Sequence, residues 1–454
     1  MLKTHPAFDL FLDEDSASLI DPQKIVRLAP KRRITIALAG AGTRGVRVYG
    51  AYAAGHPDEM EIVAVAEPND ARRENFCRQH NIPPERTFRT AEEMFAQPRM
   101  ADMAVIATLD GEHVAHATAA IEKGYDLLLE KPISQSLEEC KTLLRMTEEK
   151  GIKVSLTHVL RYSPFYQKAK QIIDSGMLGD IVCIQASENV SYWHAAHSYV
   201  RGIFRRAEDT SPMIMAKCCH DLDIFVWLTG SHCKSISSYG GRSVFCREKM
   251  PEGATEYCYD GCAVKDSCQF DAEKIYMKNA KTGYDSVGAG QLQFSVTSDI
   301  TRAGIEAALR HGPFGRCVYC CDNTVVDHQV MCAEMENGVT IDFTMCSFGY
   351  RDYRQLHILG TKGDLFGNLE DERLVFALHG GRPMVYDLHV TDTIAGHGGG
   401  DTRLLSDVLA YERGETTSAM TGLRQSVESH YMAIAAERSR LAGGERIMME
   451  ELLR

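Results

Sequence analysis

The stretch from Ile34 to Glu67 limits most strongly how this chain can fold. The apolar run ITIALA leads without a break into Gly40-Ala41-Gly42-Thr43-Arg44-Gly45, and a helix-compatible segment, VRVYGAYAAG, follows it. In such a strand-turn-helix unit the first glycine permits a tight turn and the second lets a pyrophosphate approach the backbone. The third lets helix and strand pack closely. Thr43 and Arg44 then open a helix whose free N–H groups and positive dipole end face the phosphates. A glycine turn alone is common, and the continuation is what makes this one specific. The next apolar run, EIVAVAE, ends in Glu67, 22 residues beyond Gly45. A carboxylate there accepts hydrogen bonds from ribose hydroxyls and repels a 2′-phosphate. The expected cofactor is therefore NAD, with Arg72 and Arg73 keeping NADP open.

Further short apolar runs follow at 101–108 (ADMAVIAT), 125–131 (YDLLLEK) and 153–159 (KVSLTHV), separated by amphipathic stretches. That rhythm predicts a parallel sheet buried on both faces by helices. One helix is expected over 136–150, where Ser136 and Glu139 have capping-box spacing and Gly151 supplies the stop. Beyond Arg161 the runs lengthen and alternate more loosely, as in 180–190 (DIVCIQASENV), 326–335 (VDHQVMCAEM) and 338–345 (GVTIDFTM). These read as a mixed or antiparallel sheet with one face on a core and the other free. Helices are expected at 212–229, 402–413 and 421–441.

At 454 residues the chain exceeds the size of a single growing core. The reading is an α/β protein with three parts. Residues 1–32 form an N-terminal extension, and 33–160 form a Rossmann domain with a doubly wound parallel sheet. Residues 161–454 form an α+β domain on a mainly antiparallel open sheet, for substrate binding and oligomerisation.

Fifty Lys and Arg against 62 Asp and Glu give a net charge of -12. Basic residues cluster only briefly, as at Lys31, Arg32 and Arg33, so no nucleic-acid partner is expected. No run approaches the roughly 18 apolar residues of a membrane span. The opening segment lacks the pattern of an export signal, and 15 cysteines fit a reducing compartment, so a cytoplasmic protein is expected. Cys258, Cys262 and Cys268, with Cys317, Cys320 and Cys321, leave a thiolate metal site open as an alternative. Their spacings mostly miss the paired knuckles of zinc sites, and buried free thiols are the reading adopted.

The apolar run at 125–131 ends in Glu130-Lys131, followed by Pro132. A lysine at the carboxyl end of a strand, beside the cofactor crevice, can donate to a substrate hydroxyl and help move its proton. The loop holding Thr108, Leu109 and His113 leaves another strand at the same end, where ligands sit in such sheets. His113 reads equally as an exposed first-turn helix residue.

GAGTRG, Glu67, the EKP tripeptide and HVLRYSP (158–164), in this order and spacing, resemble the Gfo/Idh/MocA family, which includes glucose-fructose oxidoreductase and inositol dehydrogenases. The resemblance covers residues 33 to about 230, with a weaker echo in HILGTKGDLFG (357–367). It implies that Lys131 contacts both nicotinamide and substrate, and that Glu130 belongs to the cofactor site. The segment SPMIMAKCCHDLD (211–223) places His220 on the family histidine and Asp223 on the acid that follows. The usual aspartate is replaced by Ala216, and Lys217 stands about 100° further round a helix. Lys217 then replaces the carboxylate electrostatically or binds an acidic substrate group, while Lys131 and His220 share the proton relay. The resemblance also implies a homo-oligomer, a dimer or tetramer built through the open sheet.

Candidate substrate contacts are Asn189, Trp193, His194 and His197, a mixture of aromatic faces and polar tips suited to sugars. A structural loop anchored by Trp193 explains the same residues. Arg161, Tyr162, Asp223 and His397 complete the set, the last within Gly396-His397-Gly398-Gly399-Gly400-Asp401. The expected activity is hydride transfer between NAD and a secondary hydroxyl of a sugar, sugar derivative or cyclitol. Two rivals stand beside it: an NAD-dependent glycosidase acting by transient oxidation and elimination, whose branch of the family has a similar GHGG stretch, and a non-enzymatic dinucleotide sensor.

Overall fold

The computed structural model describes residues 31–286, 292–390, 397–416 and 420–454. The extension expected at 1–32 lies outside them except for its last two residues. Strands β1 (Ile34–Ala39), β2 (Met60–Ala66), β3 (Thr87–Phe88), β4 (Met103–Ile106), β5 (Asp126–Leu129) and β6 (Val154–Leu156) form one sheet in the order β3-β2-β1-β4-β5-β6. All its pairings are parallel. The order reverses between β1 and β4, so a crevice opens at their carboxyl ends, where Gly40 and Ala107 leave the sheet. β3 pairs only Val65 with Thr87 and Ala66 with Phe88. A strand so short leaves no alternation to read, which is why the sequence did not announce it.

Helices cover both faces. The one at Leu137–Lys150 has the expected start, with Glu139 N–H donating to Ser136 Oγ at 3.3 Å, and it ends at Gly151 in the left-handed conformation. Ile34, Ile36 and Leu38 of β1 share a core with Leu404, Leu405 and Val408. Those leucines belong to Gly400–Glu412, a helix from the far end of the chain. A C-terminal segment therefore packs against the N-terminal sheet and delivers its own first turn to the crevice.

The second sheet has nine strands: β7 (Ile181–Ser191), β8 (Cys233–Gly241), β9 (His328–Met335), β10 (Thr340–Gly349), β11 (Tyr353–Gly360), β12 (Gly363–Asn368), β13 (Arg373–Leu378), β14 (Met384–Asp387) and β15 (Ile447–Met448). Their order is β14-β13-β12-β11-β7-β10-β9-β8-β15, and the β7–β10 pair alone is parallel. Ile184, Glu188, Phe343 and Leu356 face inward, under the helices Cys219–Thr229 and Leu423–Leu441. Phe225 of the first meets Phe343 at 5.5 Å between ring centroids.

The other face is uncovered by the described residues. Alternation along β7 puts Asn189 there, opposite Glu188, with its Nδ2 donating to Ser187 Oγ at 2.8 Å. The substrate contact expected of Asn189 is corrected by that parity: its neighbour Glu188, not Asn189, faces the crevice side. Among the described residues no helix is long and apolar enough to cross a membrane.

Candidate active site

The glycine loop has the shape a pyrophosphate needs. A Cβ on Gly40, whose φ is +97°, would lie 2.3 Å from Ala107 O, and one on Gly45 would lie 2.2 Å from Gly40 O. Around Gly42 no heavy atom stands within 4 Å of where a Cβ would be. Two glycines thus make the turn and the close packing, and the third leaves an open cradle above the first helical turn, where Thr43 is exposed. These residues fit a dinucleotide. Gly42→Ala is expected to leave thermal unfolding unchanged and to weaken NAD binding by about tenfold or more, as followed by fluorescence titration. Gly45→Ala is expected to lower the melting temperature instead.

Glu67 is buried at the tip of β2, where its carboxylate accepts from Ala41 N–H and Asn69 N–H, both at 3.0 Å. It ties the glycine loop to the second strand, with Arg72 Nη2 3.3 Å away. Thr108 Oγ1 lies 3.0 Å from His116 Nδ1, and Leu109 is 48% exposed beside it. His113 is buried, with its ring nitrogens against Pro132 O at 2.6 Å and Thr108 O at 3.2 Å. That corrects the solvent-exposed reading of His113. It clamps two crevice loops together and lies too deep to present an edge to the cofactor.

Arg44 and Glu130 also do other work than the direct cofactor contact expected of them. Glu130 Oε1 accepts from Arg44 Nε and Tyr49 OH, each at 2.5 Å, and its Oε2 accepts from Thr157 at 2.7 Å. Burial alone would raise this carboxyl, but Arg44 and the two hydroxyls hold it below the usual carboxylate range. The second arm of Arg44 reaches Asp401 Oδ1 at 2.7 Å, joining the glycine loop to the C-terminal helix.

Next to Glu130, Lys131 Nζ donates to Ala216 O at 2.7 Å. Ala216 lies one turn before His220, and the helix between them is broken at Lys217 and Cys218. His220 is 4% exposed, and its Nδ1 has no hydrogen-bond partner among the described residues. Burial, and then the charge of Lys131, holds this imidazole neutral, well below its ordinary range. Its ring centroid is 5.6 Å from that of His397 and 5.8 Å from that of His158. His158 is in turn 5.7 Å from His430, whose Nε2 accepts from Ile133 N–H at 2.9 Å. A row of four imidazoles therefore runs from the crevice mouth to the loop that carries Lys131.

Lys217 turns toward the second sheet, with Nζ 3.5 Å from Glu188 Oε1. Arg354 Nη2 meets the same carboxylate at 2.6 Å, and its Nε meets Asp221 Oδ1 at 3.1 Å. Burial, set against Arg354 and reinforced by Glu188, pushes the Asp221 carboxyl up to about 7. Lys217 thus balances buried acids, and its amine is committed to Glu188.

Several expected substrate contacts turn out to be structural. Arg161 and Asp223, both buried, form a two-pronged pair with N–O distances of 2.6 Å each, so neither is open to a substrate. Tyr162 is buried and donates to Asp407 at 2.7 Å, fastening the C-terminal helix. His197 stacks on Phe314 with centroids 4.9 Å apart, and its Nδ1 lies 3.0 Å from Tyr276 OH. Trp193 is 9% exposed under Lys281, and His194 Nδ1 lies 2.9 Å from Asp352. Tyr199, from the same segment, reaches the surroundings of Glu188, Asp110 and Cys218. Of the expected substrate contacts, His397 keeps its ring beside that of His220.

His197 also offers a test of burial. Its folded-state pKa is about 3, because burial opposes the charged ring, while the unfolded chain takes up a proton near the ordinary value of 6.5. The contribution is complete above 6.5 and is lost as pH falls. Between pH 7.5 and 5.5 the wild type should lose about 1.4 kcal/mol more unfolding free energy than His197→Gln, measured by urea titration.

Asp110, His158, Glu188, Arg354, Asp401 and His430 also surround the site. Asp401 lies in the GHGGGD stretch already put forward, Asp110 and Glu188 lie in candidate segments without a role of their own, His158 opens HVLRYSP, and Arg354 and His430 stand in no motif. The cysteines are all free thiols, and burial pushes Cys317 up to about 12, where it stays protonated. Among the described residues no three His, Cys, Asp or Glu are arranged to hold a metal.

The same architecture recurs elsewhere. Residues 34–158 match the model of the oxidoreductase family's NAD-binding Rossmann fold (GFO_IDH_MocA), and residues 170–444 match its C-terminal alpha/beta domain. A putative oxidoreductase, YteT, from Bacillus subtilis is 25% identical over 323 residues, covering 68% of this chain and 72% of that protein. The scyllo-inositol 2-dehydrogenase (NAD(+)) of the same organism is 28% identical over 189 residues, covering 40% of this chain and 49% of its own length. In fold, the chain is similar to an oxidoreductase from Agrobacterium radiobacter solved with NAD+, L-tartaric acid and magnesium. There the TM-score is 0.64 at 16% identity, covering 93% of this chain and all of that one. The WlbA dehydrogenase of Bordetella pertussis, solved with NADH and UDP-GlcNAcA, gives a TM-score of 0.64 at 18% identity, covering 93% of this chain and 99% of that one. With both domain models matched and the crevice residues in place, the chain belongs to the Gfo/Idh/MocA oxidoreductase family and is an NAD-binding oxidoreductase.

Proposed function

We propose that the protein moves a hydride between NAD and a secondary hydroxyl of a sugar, sugar derivative or cyclitol. The observation that carries this reading is the position of Lys131 at a strand tip beside the glycine loop, its amine 2.7 Å from Ala216 O on the turn before His220. Bound NAD supplies the hydride acceptor. Lys131 holds the hydroxyl oxygen and stabilises the charge that grows on it, and neutral His220 takes the proton. Buried Glu67 and the Gly40–Gly45 loop hold the dinucleotide, and the relatives named for inositol support a polyol as substrate. Residues 33–160 serve as the dinucleotide unit and 161–454 as the substrate unit.

Two further features complete the proposal. Tyr239, Val330 and Phe366 are exposed on the uncovered sheet face, which suits self-association, to be read by light scattering. The free thiols suit a reducing, cytoplasmic setting. A panel of free sugars, uronic acids and cyclitols, followed by the absorbance of reduced nicotinamide, tests the activity. Steady reduction on at least one compound is expected, and none on any would sink the reading.

Transient oxidation with glycoside cleavage is the second reading, favoured by Ala216 at the place of the usual acid. It predicts release of aglycone from aryl glycosides without net cofactor reduction. A sensor without turnover has no use for Lys131 and His220 in this arrangement.

A further inference from the structure

The relay described above lacks an exit. His220 is 4% exposed, its Nδ1 has no hydrogen-bond partner among the described residues, and burial and the charge of Lys131 both oppose a proton on its ring. The surroundings of His397 differ in three ways. Its Nδ1 lies 3.0 Å from Asp401 Oδ2, its side chain remains 32% exposed, and its ring is 5.6 Å from that of His220.

Charges of both signs face His397. Arg44 is shared between Glu130 and Asp401, one positive charge against two negative ones, and Arg354 adds a second positive charge. Burial draws the His397 ring below its ordinary range against the pull of Asp401, and Arg44 and Arg354 add to the lowering, so the ring holds a proton in passing and gives it back. The backbone is also built for this placement: His397, Gly398 and Gly399 all have positive φ (+62°, +59° and +77°). A Cβ on Gly400 would lie 2.2 Å from Val159 O, so the turn is pressed against the loop that carries His158. A non-glycine residue held in that conformation persists only where its surroundings enforce it.

We propose that His397 is a second proton-carrying imidazole of this site, with Asp401 as its carboxylate partner and Arg44 as the residue that positions Asp401 against the dinucleotide loop. The proposal rests on the hydride-transfer reading. As the hydroxyl O–H bond breaks, its proton passes through His220 to Nε2 of His397, while the carbinol C–H electron pair leaves with the hydride. His397 donates through Nδ1–H to Asp401 throughout and releases the extra proton to water. Asp401 thereby supplies, from the far end of the chain, the negative charge that Ala216 leaves out.

The test compares His397→Asn, Asp401→Asn, Asp401→Glu and Arg44→Lys. Each is examined for NAD affinity by fluorescence, for kcat against pH on the fastest polyol of the panel, and for titration of the histidine ring protons by NMR without substrate. His397→Asn should lower kcat by about 10²-fold with NAD affinity retained. Asp401→Asn should move the His397 titration, and the acid limb of kcat, down by about one pH unit, and Asp401→Glu should restore both. Arg44→Lys should lower kcat less than His397→Asn. Failure of every polyol with the resonance shift intact would remove the hydride-transfer reading alone. A His397 resonance that ignores Asp401→Asn, or a His397→Asn kcat within about threefold of wild type, overturns this proposal.

Discussion

Lys131→Ala is expected to cut kcat by about 10²–10⁴-fold, the range for loss of a positioned proton-transfer group, with NAD affinity nearly unchanged. The separation follows from what the amine touches. Its hydrogen bond goes to Ala216 O in the second domain, whereas the dinucleotide cradle is made by Gly42, the first helical turn and Glu67. Losing Lys131 also removes the charge that helps keep His220 neutral, so the His220 ring should titrate at higher pH in the variant. Single-turnover reduction of nicotinamide and a fluorescence titration read the two effects separately. A kcat within tenfold of wild type would take the amine out of the reaction.

The largest effect on stability is expected at Asp223, where Asp223→Ala should cost about 3–5 kcal/mol in urea unfolding. The substitution leaves the Arg161 guanidinium buried with, among the described residues, only Met420 O and Gln425 O as acceptors, at 3.0 Å and 3.4 Å. Arg161→Leu combined with Asp223→Leu should recover most of the loss, because the expense lies in stranding one charge. Arg161 also lies over the Trp227 ring at 5.9 Å, so tryptophan emission reports the disturbance directly. A small effect on stability with a raised KM would return Asp223 to the substrate contacts.

Local chemistry determined much of this protein before any tertiary structure entered. The strand and glycine loop at 34–45, the acid at Glu67 and the lysine at a strand tip depend on residues close together in the chain, and on turns that only certain backbones make. Their positions were therefore legible as spacing, and so was the capped helix at 137–150. The parity of a strand was harder: the loose pattern of 180–190 put Asn189 forward, and the helices packed on one face selected its neighbour Glu188 instead.

Charge pairing was the least legible feature. Arg161 and Asp223 look like ligands for a polyol until the fold brings them within 2.6 Å of each other. Arg44 looks like a phosphate contact until Asp401, 357 positions away in sequence, accepts from it. Long-range pairs carry no periodicity, and a buried charge selects its partner by geometry alone. Tertiary structure accordingly decided which polar residues pair off to hold the frame and which are left facing the crevice.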